Sequence, residues 1–398
     1  MNLPRLFAFC VFAAFLNPGN ALAQKSATVL PRTFEIDPAV LARVKAGADP
    51  AILQQAARDG DRALKTEAHS VMEKNQTPPS GDKHDWYSQA GYWWPDPANP
   101  KGPYIRHDGV QNPEKGDLTD ESYFNHTVRA ADTLALAYYL TGDEKYAAHA
   151  ALLLRTWFLA PATAMDPNLT YAQFVPNLNN GRAAGIVSAR QMPEAVDAVG
   201  LLAGSKNWTA ADDAGMRQWF TRYYTWLTTS DAGKDEAAHP NNHGSWCQAQ
   251  VAIIALYLGK TDDARKTLLY VRDTRIPEQI DVKGMQKYEM AHTKSFSYSA
   301  LNLHALSVLA TVAQPLGLDL YKPATPDGPG ILTAMDALLP YDAQHPWPHE
   351  QIEKNREDSI CPALYYTAGY THDPKYADGL KRFGCEATAE DQIIALGR

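Results

Sequence analysis

One joint recurs along this chain and limits what it can fold into. Tyr138-Tyr139-Leu140-Thr141-Gly142-Asp143-Glu144 closes one apolar stretch and opens the next, and Leu256-Tyr257-Leu258-Gly259-Lys260-Thr261-Asp262-Asp263 does the same. Tyr365-Tyr366-Thr367-Ala368-Gly369-Tyr370, followed by Asp373-Pro374-Lys375-Tyr376-Ala377, is a third, looser copy. Each reads as an apolar helix end, a glycine stop and an acidic start to the next helix. Apolar residues at helical spacing predict helices over 128–140, 144–159, 184–202, 210–230, 245–258, 296–313, 330–339 and 360–368. Strand-type alternation is scarce. Degenerate helical hairpins of this kind predict an all-α fold, an incomplete or closed (α/α) toroid rather than an open solenoid. With 45% hydrophobic residues, a chain of 398 residues can bury the core such a ring needs.

Two long segments break the helical rhythm. Residues 78–125 carry Trp86, Tyr92, Trp93, Trp94 and Tyr104 among many Pro, Gly and Asp residues, and 166–182 is rich in Asn and Gln. Long ordered loops in a helical domain commonly wall a binding cleft or tunnel; the plainer reading is that they only cover the rim. In the first loop Trp93 and Trp94 offer flat faces to sugar rings, and successive strand residues point oppositely, so one of the two is expected to stack. Arg106, His107 and Lys101 can meet carboxylates. Gln173, Asn177, Asn180 and Arg182 are further polar contacts, although Gly181-Arg182 also reads as a helix start.

The N-terminus reads as a secretory leader over 1–23. Arg5 precedes a short apolar run, and Ala21-Leu22-Ala23 forms a cleavage site ahead of Gln24. The mature chain, 24–398, is expected to be one domain in the periplasm or outside the cell, with no membrane contact. Three cysteines then remain, Cys247, Cys361 and Cys385. Cys361 and Cys385 can pair in an oxidising compartment, while Cys247 reads as a small buried hydrophobe. The formal net charge is −8, which disfavours nucleic acid as a partner and slightly disfavours any polyanion unless the cleft is locally basic.

The sharpest local signal is His239-Pro240-Asn241-Asn242-His243-Gly244-Ser245-Trp246, set just before an apolar helix. Its plain alternative is an Asn cap beside a stray histidine. A second signal is Tyr288-Glu289-Met290-Ala291-His292-Thr293-Lys294-Ser295-Phe296-Ser297-Tyr298-Ser299. Read as a helix, it puts Tyr288, His292, Ser295 and Ser299 on one face, and projects Tyr298 toward a cleft. An isolated tyrosine is more often a core residue with one satisfied hydroxyl. Together the two segments fit one chemistry. Removing the C5 proton of a uronate needs a donor that offsets its carboxylate charge, a base, and an acid for the leaving O4. Asn242 can be that donor, and His243 and Tyr298 the base and acid. No metal or organic cofactor is required.

Asn-Asn-His-x-x-Trp followed by this tyrosine resembles the alginate-lyase superfamily of α/α-toroid polysaccharide lyases. Gly91-Tyr92-Trp93-Trp94-Pro95-Asp96-Pro97, Gly102-Pro103-Tyr104, Asn168-Leu169-Thr170-Tyr171-Ala172-Gln173 and Gly181-Arg182 are similar as well, so the likeness runs over roughly 80–370. It lies nearer the alginate and glucuronan lyase branches than the shorter mannuronate lyases. The resemblance implies β-elimination on an acidic polyuronate, mannuronate-rich alginate first and glucuronan as the alternative. It implies Asn242 as carboxylate neutraliser, and His243 and Tyr298 as the proton-transfer pair. Trp93, Trp94, Arg106, Gln173, Asn180, Arg182, Trp246 and Tyr288 are the expected substrate contacts. Family members carry an Arg about two turns before the tyrosine; here His292 stands in that stretch, so His292, Arg182 or Arg190 must supply the second neutralising group. In syn elimination from mannuronate one tyrosine can be base and acid; anti elimination needs a base on the opposite face, for which His243 is the candidate.

Three other readings compete. His239 with His243, and Glu289-x-x-His292, have metal-ligand spacings, but Pro240 interrupts the first and the second has no twin. A glycoside hydrolase on the same toroid needs paired carboxylates, for which Asp96, Glu121, Glu289 and Glu350 are available without a compelling motif. A non-catalytic glycan-binding protein would use the aromatic loop alone.

Overall fold

The computed structural model describes residues 30–325, 328–354 and 356–397, so the leader read over 1–23 lies outside the described residues. Two helices, α1 (Pro38–Arg43) and α2 (Pro50–Ala63), precede a series of hairpins. In each hairpin a first helix is followed by a second that packs on it or on its neighbour. The pairs are α3 (Asp120–Thr141) with α4 (Glu144–Leu154), then α5 (Met192–Leu201) with α6 (Ala210–Thr229). After the connecting α7 (Asp231–Ala238) come α8 (Asn242–Tyr257) and α9 (Thr261–Tyr270). After the one-turn α10 (Ile276–Gln279) come α11 (Ser295–Ala313) with α12 (Ile331–Leu338), then α13 (Cys361–Thr371) with α14 (Pro374–Arg382), and last α15 (Ala389–Leu396).

The first members pack in order: α3 on α5, α5 on α8, α8 on α11, α11 on α13. The ring is then closed by α15, which touches both α13 and α2, while α2 touches α3. This is the expected (α/α) toroid. Position in the ring explains composition. Helix α11 carries no Lys, Arg, Asp or Glu and is apolar almost all round because other helices surround it. By length and composition alone Ser295–Leu316 could cross a membrane, but it is a buried inner helix.

Two of the three joints fold as read, with Gly142 (φ 75°) and Gly259 (φ 79°) in the left-handed conformation. The third does not. Helix α13 runs past Gly369 to Thr371 and stops at His372, itself left-handed at φ 52°. Gly369 serves close approach instead: a Cβ there would lie 2.1 Å from the Ile394 carbonyl of α15. The stretch 184–202 is also not one helix. A 3-10 segment, Ala183–Ala189, gives way to α5, whose second residue Pro193 suits a helix start and not an interior. Cys361 and Cys385 form a disulfide and Cys247 is buried and free, as expected.

The two long loops are tied to each other and to the ring. Strand β1 (Tyr87–Gln89) pairs in parallel with β4 (Tyr171–Phe174), and β2 (Trp93–Trp94) pairs antiparallel with β3 (Ile105–Arg106). Asp120, at the start of α3, accepts from the Tyr87 amide at 2.8 Å and pairs with Lys74 at 3.0 Å, both side chains fully buried. Breaking either partner would strand a buried charge, so this pair pins the first loop to the ring.

Where the inner helices converge, the centre is not filled with hydrocarbon. Glu35, Asp132, Glu194, Asp197 and Glu390 gather there, and burial first, then mutual repulsion, raises the first two and the last well above the usual carboxyl range. Burial pushes Glu194 and Asp197 up to about 7. The native state therefore holds more protons than the unfolded chain between roughly pH 4 and 7, so stability falls as pH rises through that window. Asp212, held well below the usual carboxylate range chiefly by its hydrogen bond from Arg155, acts only at much lower pH. Calorimetry is expected to give a Tm several degrees higher near pH 5.5 than near pH 8; a Tm that rises with pH over this range contradicts the protonated hub.

Candidate active site

The first turn of α8 carries the strongest motif, and its backbone explains the motif's composition. Asn241 caps the helix, its side chain accepting from the His243 amide at 3.2 Å. Gly244 follows because a Cβ there would stand 2.1 Å from the His239 carbonyl and 2.5 Å from the Arg275 guanidinium. Arg275 donates to the carbonyls of His239 and Ala237 at 2.7 and 2.6 Å, which locks the approach to the helix.

Asn242 and His243, on this turn, are each held by a buried carboxylate. Asn242 gives its backbone N–H and its Nδ2 to the two oxygens of Glu289, at 2.6 and 2.8 Å. Burial raises Glu289 to about 7, against the opposing effect of those two donors and of His243. His243 points Nδ1 at Glu236 Oε1, 2.8 Å away, and Glu236 is fully buried. A carboxylate on Nδ1 fixes the ring and leaves Nε2 as the nitrogen facing the cavity.

Tyr298 lies on the first turn of α11 and half faces the same cavity. Its hydroxyl is 2.7 Å from that of Tyr92, which the aromatic loop brings across 206 residues of sequence. Burial first, then the Tyr92 hydroxyl and the charges of Asp108 and Glu289, holds the Tyr298 phenol far above the usual tyrosine range. It is therefore a fully protonated, buried acid. His292 packs on it with ring centroids 4.6 Å apart, and Asp108 lies 3.3 Å from His292 Nδ1. Burial raises Asp108, but the Thr293 amide and hydroxyl, His292 and Arg106 outweigh it and hold the carboxyl below the usual range.

Asn242, His243, Tyr298, Tyr92 and His292 line one cavity of about 630 Å³ between the ring and the two loops. Its cations are Arg106, Lys115, Arg182, Arg190 and Arg356, against the single carboxylate Glu121, which Lys115 pairs at 2.8 Å. The acidic chain thus has a locally basic cleft, which removes the objection raised by its net charge. Arg182 is braced by Gln173, through its carbonyl at 3.2 Å and Oε1 at 2.7 Å, and lies over Trp93 at 5.7 Å. Arg190 donates only weakly, to the Val187 carbonyl at 3.5 Å, and has no ion pair among the described residues. It and Arg356, which makes no ion pair among the described residues, are the cations left to meet a carboxylate.

The structure thus gathers Asn242, His243, His292, Tyr298, Trp93, Arg106, Gln173 and Arg182 at one cavity. It does not bring four expected contacts there. Trp94 points the other way along the strand, its Nε1 bonded to the Val110 carbonyl at 2.9 Å. Asn180 is exposed on the rim. Tyr288 lies under Lys287, whose Nζ is 4.7 Å from its ring centroid, because 287–294 is a series of turns and the helix begins only at Ser295. The shared face read for Tyr288 and His292 therefore does not exist. Trp246 is 97% buried behind the cleft, edge-on to His304 at 5.0 Å. Sequence reasoning gave no site role to Tyr92, Glu236, Asp108 or Arg356. For Tyr92 the signal was present in the aromatic loop. Glu289 serves Asn242, and among the described residues lining the cavity Glu121 is the one carboxylate, not the pair a hydrolase uses.

The family model described as "Alginate lyase" matches residues 70–347. An alginate lyase of Bacteroides ovatus is similar in structure with a TM-score of 0.85 and 36% identity, covering 92% of this chain and 99% of that one. Alginate lyase A1-III of Sphingomonas species A1 is similar at a TM-score of 0.56 and 17% identity, over 92% of this chain and 97% of its own. A histidine-to-alanine variant of A1-III, solved with a tetrasaccharide, matches at 0.54 and 18%, over 88% and 91%. These last two carry the fold alone. No curated protein matches the chain.

Proposed function

The chain belongs to the alginate lyase family and is a polysaccharide lyase, and we propose that it cleaves mannuronate-rich alginate by β-elimination at the cavity between Tyr298 and His243. The observation that carries this reading is the pairing of a basic cleft with one acid, hydrogen-bonded to Tyr92, and one imidazole oriented by the buried Glu236. The substrate's carboxylate is met by the Asn242 amide and the Arg190 guanidinium, which stabilise the enolate-like charge as it develops. His243 Nε2 takes the C5 proton. The C5 electrons form the C4–C5 double bond, the C4–O4 bond breaks, and the Tyr298 hydroxyl proton passes to O4. Tyr92, hydrogen-bonded to Tyr298, supports its reprotonation. Trp93 stacks on a sugar ring, and Arg106 and Arg182 receive further carboxylates. In mannuronate the C5 proton and O4 leave from one ring face, so this reading requires His243 Nε2 and the Tyr298 hydroxyl to approach the sugar from the same side.

The leader read over 1–23 and the Cys361–Cys385 disulfide support export to the periplasm. The substrate assignment is tested by initial rates on polymannuronate, polyguluronate and glucuronan. Polymannuronate is expected to exceed polyguluronate by roughly tenfold or more, a difference of one good polar contact. A highest rate on glucuronan replaces alginate as the substrate; equal rates on the two alginate blocks overturn the mannuronate preference.

A further inference from the structure

Behind Tyr298 the cleft continues into the hub of the ring. Tyr92, Arg190, Tyr298, Leu301 and Arg356 line both the cleft and a second cavity of about 610 Å³, a size typical of ligand pockets. Inner helices wall this hollow: Arg129 and Asp132 come from α3, Glu194 from α5, Trp246 from α8 and His304 from α11. At its far end Glu35, Tyr366 and Ile394 also line a smaller cavity of about 200 Å³ on the other side of the ring, so these three residues form a floor.

Its buried polar atoms are incompletely paired. Asp132 Oδ1, Gln191 Oε1 and Trp246 Nε1 have no hydrogen-bond partner in the protein, and each of these residues is 97% buried. Orphaned buried polar groups are rare, and here two acceptors and a donor line one hollow. Charge decides what they suit. Arg129 and Arg190 near the mouth can take one carboxylate, whereas deeper in the protonated Glu35, Asp132, Glu194 and Glu390 offer hydrogen-bonding groups but no cation for a second. Sugar hydroxyls can exchange hydrogen bonds with those same neutral carboxyl groups. A ligand with one carboxylate at the mouth and only hydroxyls beyond is the last residue of a uronate chain.

Resting on the lyase reading above, we propose that this hollow is a subsite for the terminal sugar, so that the enzyme works inward from a chain end. The test is digestion of polymannuronate by the wild-type enzyme, following ultraviolet absorbance, viscosity and product length from the first bonds cut. One short product size is expected to dominate throughout, with viscosity falling only in proportion to bonds broken. A ladder of many sizes with an early collapse of viscosity overturns the end-directed subsite while leaving the lyase reading intact. No unsaturated product on any uronate polymer overturns both. Gln191→Leu, which keeps volume and removes one orphaned acceptor, is expected to raise KM for short oligomers about tenfold and to broaden product size. An unchanged KM and product pattern in that folded variant also counts against the subsite.

Discussion

Tyr298→Phe should lower kcat on polymannuronate by roughly 10³-fold and leave KM within a few fold, because general-acid catalysis commonly contributes 10²–10⁴. The substitution keeps the ring that packs on His292 and removes only the hydroxyl that meets Tyr92 at 2.7 Å. The phenol's high proton affinity, set first by burial, keeps it protonated at any working pH. The loss should be far smaller for Tyr92→Phe, which leaves Tyr298 its proton and slows only its return. Steady-state kinetics on both variants separates these roles. A Tyr298→Phe enzyme with near wild-type kcat would remove the acid from the scheme.

His243→Ala should lower kcat by about 10²-fold or more, again with KM little changed. Glu236→Gln should follow it in weaker form, since an amide still holds Nδ1 but no longer stabilises the imidazolium that forms on accepting the C5 proton. The pattern distinguishes two roles for the histidine. If His243 only positions the sugar, KM rises in the alanine variant and kcat survives; Tyr298 then serves as base as well as acid.

Much of the fold was legible because its signals are local. Gly142 and Gly259 stop helices by their own backbone conformation, and the helices on either side follow from spacing of apolar residues. Gly369 misled because its reason is tertiary: the carbonyl of Ile394 lies against it, and no neighbour in sequence reveals that. The site divides in the same way. Asn242 and His243 stand in a compact motif at a helix start. Their anchors do not, since Glu289 is 47 residues from Asn242 and Tyr92 is 206 from Tyr298. The helical reading of 288–294 failed because the chain there is held by Asp108 across the loop, whose carboxylate takes the Thr293 amide at 3.0 Å. A rule of helical spacing sees none of this. The stretch before Tyr298 holds His292 where the family resemblance implies an arginine, and Arg190, far off in sequence, lines the same cavity.

The reaction proposed for the chain breaks a glycosidic bond by elimination and not by water. The most direct measurement is the product itself: mature protein incubated with polymannuronate, with ultraviolet absorbance followed continuously and product masses taken at the end. The account predicts rising absorbance and new ends that are lighter by one water than hydrolytic ends, both abolished in Tyr298→Phe. Products of hydrolytic mass with no absorbance would contradict it.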